Sequence, residues 1–261
     1  APDWQPLPVQ YADYTLWQQR RLGVDTDPDS VLARQLGYWR AQLAGLPERI
    51  TLPADRPRPA VPSYAGGLTW FELDEDLHRA VTALARQSGS TVFMVLQAAF
   101  AALCTRLGAG TDIPLGTPIA GRTDEALDEL VGFFVNTLVL RTDTSGDPTF
   151  AELVERVRTT DLAAYAHQDV PFEYLVEELN PRRSSAHHPL FQVMFALQNA
   201  PEPDYRLPGV RVTGEPIGTG VSRVDLSVNL AERYADDGRR PGCWAGPEYR
   251  HRPVRPGDGR R

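Results

Sequence analysis

The run Phe133-Phe134-Val135-Asn136-Thr137-Leu138-Val139-Leu140-Arg141 constrains this chain more than any other segment. Its aromatic and β-branched residues fall on both parities, so both faces of a strand would be apolar. Only a strand covered on both sides tolerates that. Residues 133–141 are therefore expected to form the central, buried strand of a sheet with helices on its two faces. Asn136 and Thr137 interrupt the run, and an unpartnered polar group there would cost about 1–3 kcal/mol. Arg141 is expected to end the strand where its charge reaches water.

Around this run the chain alternates between helical and strand-like patterns. Residues 30–46 carry Leu32, Leu36, Tyr38, Trp39 and Leu43 at mostly helical spacing behind Ser30, a suitable N-cap. Residues 75–87 read as a helix stopped by Ser88-Gly89, and 91–107 as a buried helix ending before Gly108. Thr149 and Glu152 have capping-box spacing for a helix reaching residue 166, and Pro171 sits where another helix could begin and run to 179. Prolines 53, 57 and 59 exclude a helix or central strand from 52–59. Further strands are expected at 68–73, 112–115, 190–197, 210–213 and 226–230, with a loop over 116–122. The pattern is an α/β sandwich whose strands gather after residue 110. Three segments are expected: a linker over 1–29, a body over 30–234, and an Arg/Pro/Gly-rich tail over 235–261. That tail has too few aliphatic residues to order itself.

Charge and cysteine usage narrow the function classes. The 34 acidic and 27 basic residues give net charge −7, which argues against a nucleic-acid partner. Every basic residue counted there is Arg, a bias that points to a GC-rich bacterial genome. Cys104 reads as a buried core thiol and Cys243 lies in the tail, so no disulfide between them is expected. No apolar run reaches the roughly 20 residues of a membrane span, and the N-terminus lacks a signal-peptide pattern; a cytoplasmic location is expected.

No segment announces a catalyst by itself. His187-His188 has no Cys or carboxylate at ligand spacing and reads as a pair of solvated loop histidines, so no metal site is expected. His167 reads as a helix-end imidazole satisfied by a local carboxylate, with Asp169 nearby. Gly-x-Ser-x-Gly, a phosphate loop and a dinucleotide fingerprint are all absent.

Four segments, taken in order, carry a resemblance. They are Tyr11-Ala12-Asp13-Tyr14-Thr15-Leu16-Trp17; Val131-Gly132-Phe133-Phe134-Val135-Asn136-Thr137 with Arg141; His167-Gln168-Asp169-Val170-Pro171-Phe172-Glu173; and Arg183 to Leu190 running into Phe191-Gln192-Val193-Met194-Phe195. Together they resemble the successive signature motifs of condensation domains from non-ribosomal peptide synthetases, over roughly residues 5–234. In the last segment Ser184, Ala186 and His187 stand where Asp, Ser and Arg are typical. An epimerisation domain, the nearest relative, fits residues 134–137 and 167–173 less well.

The resemblance implies a chloramphenicol-acetyltransferase-like fold of two α/β lobes with a tunnel between them. This chain would be the C-terminal lobe, a mixed sheet flanked by helices. It implies peptidyl and aminoacyl carrier proteins as partners, with substrates held on their phosphopantetheine and no cofactor bound directly. The family's catalytic signature, His-His-x-x-x-Asp-Gly, belongs to the other lobe, and no catalytic residue is expected in this chain. Gly116, Thr117 and Arg122 would belong to the loop flooring the tunnel. Asn136 and Thr137 would bond backbone near the tunnel, with Asn136 pointing toward it. Gly132 would avoid a clash beside the strand, and the polar groups of 167–173 would hold a turn. Thr219, Arg223 and Asp225 would latch onto the other lobe, and neighbouring synthetase domains would be further partners. Two readings stay open beside the enzyme lobe: an inactive condensation-like recruitment module, and a truncated remnant.

Overall fold

Single polar side chains write most helix starts in this chain. The computed structural model describes residues 6–54, 57–59, 61–181, 186–198, 210, 218–232 and 243–250, the last of these largely as backbone. In chain order the elements are α1 (Tyr11–Leu22), α2 (Val31–Gln42), β1 (Gly66–Leu68), β2 (Phe71–Leu73), α3 (Glu75–Gln87), α4 (Val92–Arg106), β3 (Asp112–Ile119), a 3₁₀ turn (Glu125–Leu127), β4 (Asn136–Asp143), α5 (Phe150–Tyr165), α6 (Phe172–Leu179), β5 (Val193–Gln198), β6 (Leu226–Glu232) and β7 (Cys243–Arg250). Ser30, Asp74 and Thr91 accept from the amides of Ala33, Leu77 and Met94, capping α2, α3 and α4. Thr149 and Glu152 form the expected reciprocal box at α5.

The strands form one mixed, seven-stranded sheet in the order β1-β7-β6-β5-β3-β4, with β2 also pairing β7. The β3–β5 and β5–β6 pairs are parallel, and β3–β4 and β6–β7 are antiparallel. Helices cover the sheet. Leu36 and Trp39 of α2 and Leu175 of α6 join Leu138, Val139 and Leu140 in one core cluster. Cys104 of α4 joins Ile113, Leu115, Val193, Phe195 and Val228 in another. A third, Met94, Val95 and Ala98 with Leu153, Val154 and Val157, locks α4 to α5.

Four expectations are corrected. First, β4 starts at Asn136 and lies at one end of the strand order. Leu138, Val139 and Leu140 are buried as expected, but an apolar run reports covered faces, not the number of ladder neighbours. Phe133 and Val135 precede the strand and are exposed. Second, the strand expected to stop at residue 115 continues through Gly116 and Thr117 to Ile119, because β4 supplies an antiparallel partner at every residue from Asp112 to Ile119. Only 120–122 remain loop. Third, residues 243–250 of the supposed tail are strand β7, paired with β6, β1 and β2, and Cys243 enters the second core cluster. Ladder pairing supplies what local composition lacks. Fourth, the expected strand over 68–73 is two strands broken at Thr69-Trp70, both lying along β7. Of the strand expected at 210–213 only Val210 is described; 211–213 lie outside the described residues, as do 251–261. Residues 11–22, within the expected linker, are helix α1, whose Leu22 is buried in the first cluster.

Arg141 does not end its strand in water. It makes a two-pronged contact with Asp112 on β3, at 2.9 and 2.7 Å. The same guanidinium donates to the carbonyls of Gln42, Ala44 and Gly45, just where α2 ends and leaves its last carbonyls unpaired. Replacing Arg141 by Ala is expected to lower stability by about 1–3 kcal/mol. Arg141→Lys should recover only part of this, because an ammonium cannot reproduce the fork. Urea unfolding midpoints of the two variants check both outcomes.

Candidate functional site

The segments singled out in the sequence meet at one place. On α1, Tyr11, Tyr14 and Trp17 recur at helical spacing. Their rings and the ring of Phe134 form an aromatic stack, with Tyr11 edge-on to Phe134 at 5.2 Å and Tyr14 at 4.8 Å from it. The Tyr11 hydroxyl donates to the Phe133 carbonyl at 2.8 Å. Gly132 is required here: a Cβ would lie 2.2 Å from the Tyr11 ring. The side chain such a Cβ would meet comes from α1. Asp13 faces its own helix start and accepts from the Gln10 amide at 2.9 Å.

Arg122 holds the irregular stretch between β3 and β4. It donates to the carbonyls of Leu127 and Leu130, and its guanidinium lies 4.1 Å over the Phe134 ring. Gly121 has φ +66°, and a Cβ there would run into the Phe134 carbonyl. The chain therefore turns in the left-handed region with no room for a side chain. Gly116 is pinned from the opposite direction by the Phe191 ring, 2.3 Å from where its Cβ would be. Thr117 is buried in β3 opposite Leu138.

Asn136 is the joint of the site. Its Nδ2 donates to the carbonyls of Gln168 and Val170, at 3.0 and 2.8 Å. Its Oδ1 accepts from the amides of Thr137 and Phe172, at 2.9 and 3.0 Å. Three of its four partners thus come from the 168–172 turn. Pro171 at the N-cap position has no capping side chain, so Asn136 satisfies the first amide of α6 from across the fold. The turn is also gripped by α2. Gln35 donates to Asp169 and accepts from its amide, and Trp39 donates its indole N–H to the His167 carbonyl. The His167 ring stacks on Tyr38 at 3.9 Å, and its Nδ1 lies 2.7 Å from the Ala163 carbonyl. A carbonyl only accepts, so Nδ1 carries the proton. The expected local carboxylate partner is replaced by that carbonyl, while Asp169 engages Gln35 and lies 3.8 Å from Arg21.

These elements enclose a cavity of about 240 Å³. Tyr11, Tyr14 and Trp17 line one side, Phe133 to Asn136 another, and Gln168, Asp169, Pro171 and Glu173 a third. Burial, then the nearby Tyr11 and Asp169, push the Tyr14 phenol above its usual range. Exposed apolar side chains stand at its rim: Trp17, Phe133 and Val135 line the cavity and are exposed, and their sequence neighbours Leu16 and Val131 are exposed as well, Val131 at 94%. Sequence reasoning missed Arg21, whose guanidinium lies 5.3 Å over Trp17, and Gln35 and Trp39 as holders of the turn. Gln35 was detectable as a polar residue on an apolar helix face.

Elsewhere the expected site residues separate. Phe172 packs its ring near His188 and Phe191, at 5.6 and 5.9 Å. His188 stacks on Phe191 at 4.0 Å, and burial pushes its imidazole down to about 4. It is therefore a neutral aromatic-packed ring, not a solvated loop histidine. Among the described residues no cluster of His, Cys, Asp and Glu could hold a metal ion. Thr219 and Val221 make a local turn, and the segment pairs with residues 64–66 of this chain. Asp225 forms an ion pair with Arg58, and Arg223 is exposed. Arg183 lies outside the described residues. No single helix among those described is long and apolar enough to cross a membrane.

The family model for the Condensation domain matches residues 3–233. A probable non-canonical nonribosomal peptide synthetase, CymA, of Salinispora arenicola (strain CNS-205) is 64% identical over 249 residues, covering 95% of this chain and 3% of that protein. A dimodular nonribosomal peptide synthase of Bacillus subtilis (strain 168) is 52% identical over 249 residues, covering 95% of this chain and 10% of that protein. Among solved structures, the X-domain from teicoplanin biosynthesis superposes with a TM-score of 0.86 at 37% identity, over 96% of this chain and 56% of that one. The complex of the X-domain and OxyB from the same biosynthesis gives 0.85 at 38% identity, over 96% and 54%. This chain therefore spans a small fraction of the curated relatives and about half of these solved chains.

Replacing Asn136 by Ala leaves two partly buried amides and two carbonyls to find new partners. The variant is expected to lose about 1–3 kcal/mol of stability, with amide exchange accelerating first at Phe172 and through residues 167–172. Hydrogen exchange resolved by residue checks this; uniform acceleration across all six helices would contradict it.

Proposed function

Because the chain belongs to the condensation-domain family of nonribosomal peptide synthetases, we propose that it forms the C-terminal lobe of an amide-forming acyltransferase, supplying tunnel wall and carrier-protein surface. The observation that carries this reading is the convergence of three stretches far apart in sequence, 11–17, 131–137 and 167–173, on one cavity. In the reaction, the amine of an aminoacyl thioester on one carrier protein attacks the thioester carbonyl of a peptidyl donor on another. The C–N bond forms, the C–S bond breaks, and the donor's phosphopantetheine thiol leaves. An attacking amine must lose a proton and be held in line, work suited to a positioned histidine. His187-His188 cannot be that pair: the sequence continues Pro-Leu-Phe-Gln-Val, with Gln192 and Val193 where the signature has Asp and Gly, and His188 is packed between aromatic rings. The base is therefore assigned to a segment outside this sequence.

Within this reading the chain's own residues position rather than transform. Asn136 and the 167–172 turn fix one wall; Arg122 fixes the stretch beneath the aromatic stack. Thr219, Arg223 and Asp225 are assigned to the connection with the other lobe, with Asp225 anchored to Arg58. No cofactor is bound directly, the partners are carrier proteins and neighbouring synthetase domains, and the work is done in the cytoplasm. The exposed rim of Trp17, Phe133 and Val135, together with the likeness to an X-domain solved in complex with OxyB, favours a second reading: a recruitment module that docks a partner enzyme through that rim.

Donor- and acceptor-loaded carrier proteins distinguish these readings. The chain alone is expected to give no dipeptidyl product above background. Product should emerge when a relative's segment carrying His-His-x-x-x-Asp-Gly is added, and fall at least tenfold with Asn136→Ala. Product from the chain alone would overturn the placement of the base elsewhere. No product with both segments shown to be associated would favour recruitment.

A further inference from the structure

Among the described residues, three of the four buried side-chain atoms without a hydrogen-bond partner are the Tyr38 hydroxyl, Gln97 Oε1 and Asp161 Oδ2. Asp161, on α5, is fully buried. Its Oδ1 accepts from Gln97 Nε2 at 3.1 Å, and the same Nε2 lies 3.3 Å from Thr142 Oγ1. The groups around the carboxyl come from four elements: Tyr38 from α2, Gln97 from α4, Thr142 from β4 by way of Gln97, and Tyr165 from its own helix. None of these four is cationic. Burial outweighs the hydrogen bond from Gln97 and raises the carboxyl to about 7. A proton on Oδ2 gives Asp161 a donor that can meet an orphaned oxygen nearby. Loss of that proton leaves an unpaired charge in an apolar setting, which neighbouring side chains or entering water must relieve.

The carboxyl is tied to the cavity through α2. Tyr38 feels the Asp161 charge, and its ring stacks face to face on His167 at 3.9 Å and 8°. Trp39, next along α2, packs edge-on to Tyr38 and donates to the His167 carbonyl at 2.8 Å. Tyr38 and Trp39 thus join the buried carboxyl to the first residue of the turn that lines the cavity.

We propose that Asp161 is a proton-operated latch: while protonated it lets Tyr38 and Trp39 hold the 167–169 turn, and its ionisation loosens that hold. This concerns the geometry of the turn and stands whichever partner or reaction the cavity serves. The sign of the stability effect follows from linkage. The unfolded carboxyl ionises near pH 4 and the folded one near 7. Between those values the folded chain holds the extra proton, so stability falls as pH rises through that window and levels off above it.

The full chain is labelled with ¹⁵N-tryptophan, and the Trp39 indole N–H is followed from pH 5.5 to 8.5. The expected result is a transition with midpoint near 7 that vanishes in Asp161→Asn and survives in His167→Gln, together with a higher melting temperature for Asp161→Asn at pH 8. A transition that persists in Asp161→Asn, or is absent from the native chain, overturns the proposal. If the Asn variant does not fold, ¹³C-carboxyl-labelled aspartate in the native chain decides. A protonated Asp161 carboxyl at pH 5.5, ionising near 7 together with the indole shift, supports the latch. A carboxylate signal at pH 5.5 overturns it.

Discussion

The side-chain amide of Asn136 is the interaction on which the candidate site depends. A primary amide has two donor hydrogens and two acceptor lone pairs, and here all four are spent within the protein. Two bonds close the end of the α5–α6 turn, one starts α6, and one shapes the first residue of β4. A turn that includes a proline and ends one helix while starting another has more unpaired backbone groups than it can satisfy locally. Asn136 supplies the balance from 36 positions away in sequence. Aspartate is nearly the same shape but lacks the donors, and would face the carbonyls of Gln168 and Val170 with negative charge.

Arginine performs a related task repeatedly. Arg122 binds the carbonyls of Leu127 and Leu130, Arg141 those at the end of α2, Arg156 those of Asp143 and Ser145, and Arg58 that of Ala186 together with the Asp225 carboxylate. These carbonyls lie in turns and loops or at the ends of helices and strands, where regular backbone pairing runs out. A planar fork of several N–H groups suits that work, and a lysine's compact ammonium does not. The absence of Lys, read from the sequence as genome bias, thus coincides with a fold that uses arginine as backbone clamp. The forks also explain how 123–135, with almost no regular structure, stays in place under the aromatic stack.

The apolar rim is a consequence of the same arrangement. Phe134 turns inward between Tyr11, Tyr14 and Arg122, which obliges its neighbours Phe133 and Val135 to face outward on an extended chain. The exposure of Val131, Phe133 and Val135 is therefore built into how the stretch is held, not a local accident. A surface of this kind commonly marks a contact with another protein surface.

Local sequence determined the helices, because their starts and stops are decided by residues three or four positions apart. Ser30, Asp74, Thr91 and the Thr149–Glu152 box cap as the residues indicated, and α3 has the bounds its pattern implies. The motif segments were also legible, and with them the family, since both reside in residue identity and order. Strand order was not. Residues 138–140 announced that both faces would be covered, yet their place at the end of the sheet depends on which strand finds which partner. The extension of β3 to Ile119 and the recruitment of 243–250 into the sheet are ladder pairings between segments up to about 180 residues apart. The site divides in the same way. Asn136, His167 and Pro171 were identifiable as unusual residues, but their partnership, the grip of Gln35 and Trp39, and the burial of Asp161 arise only when β4, α2 and the α5–α6 turn are packed together, because hydrogen-bond partners and desolvation are properties of the folded neighbourhood and not of the residue.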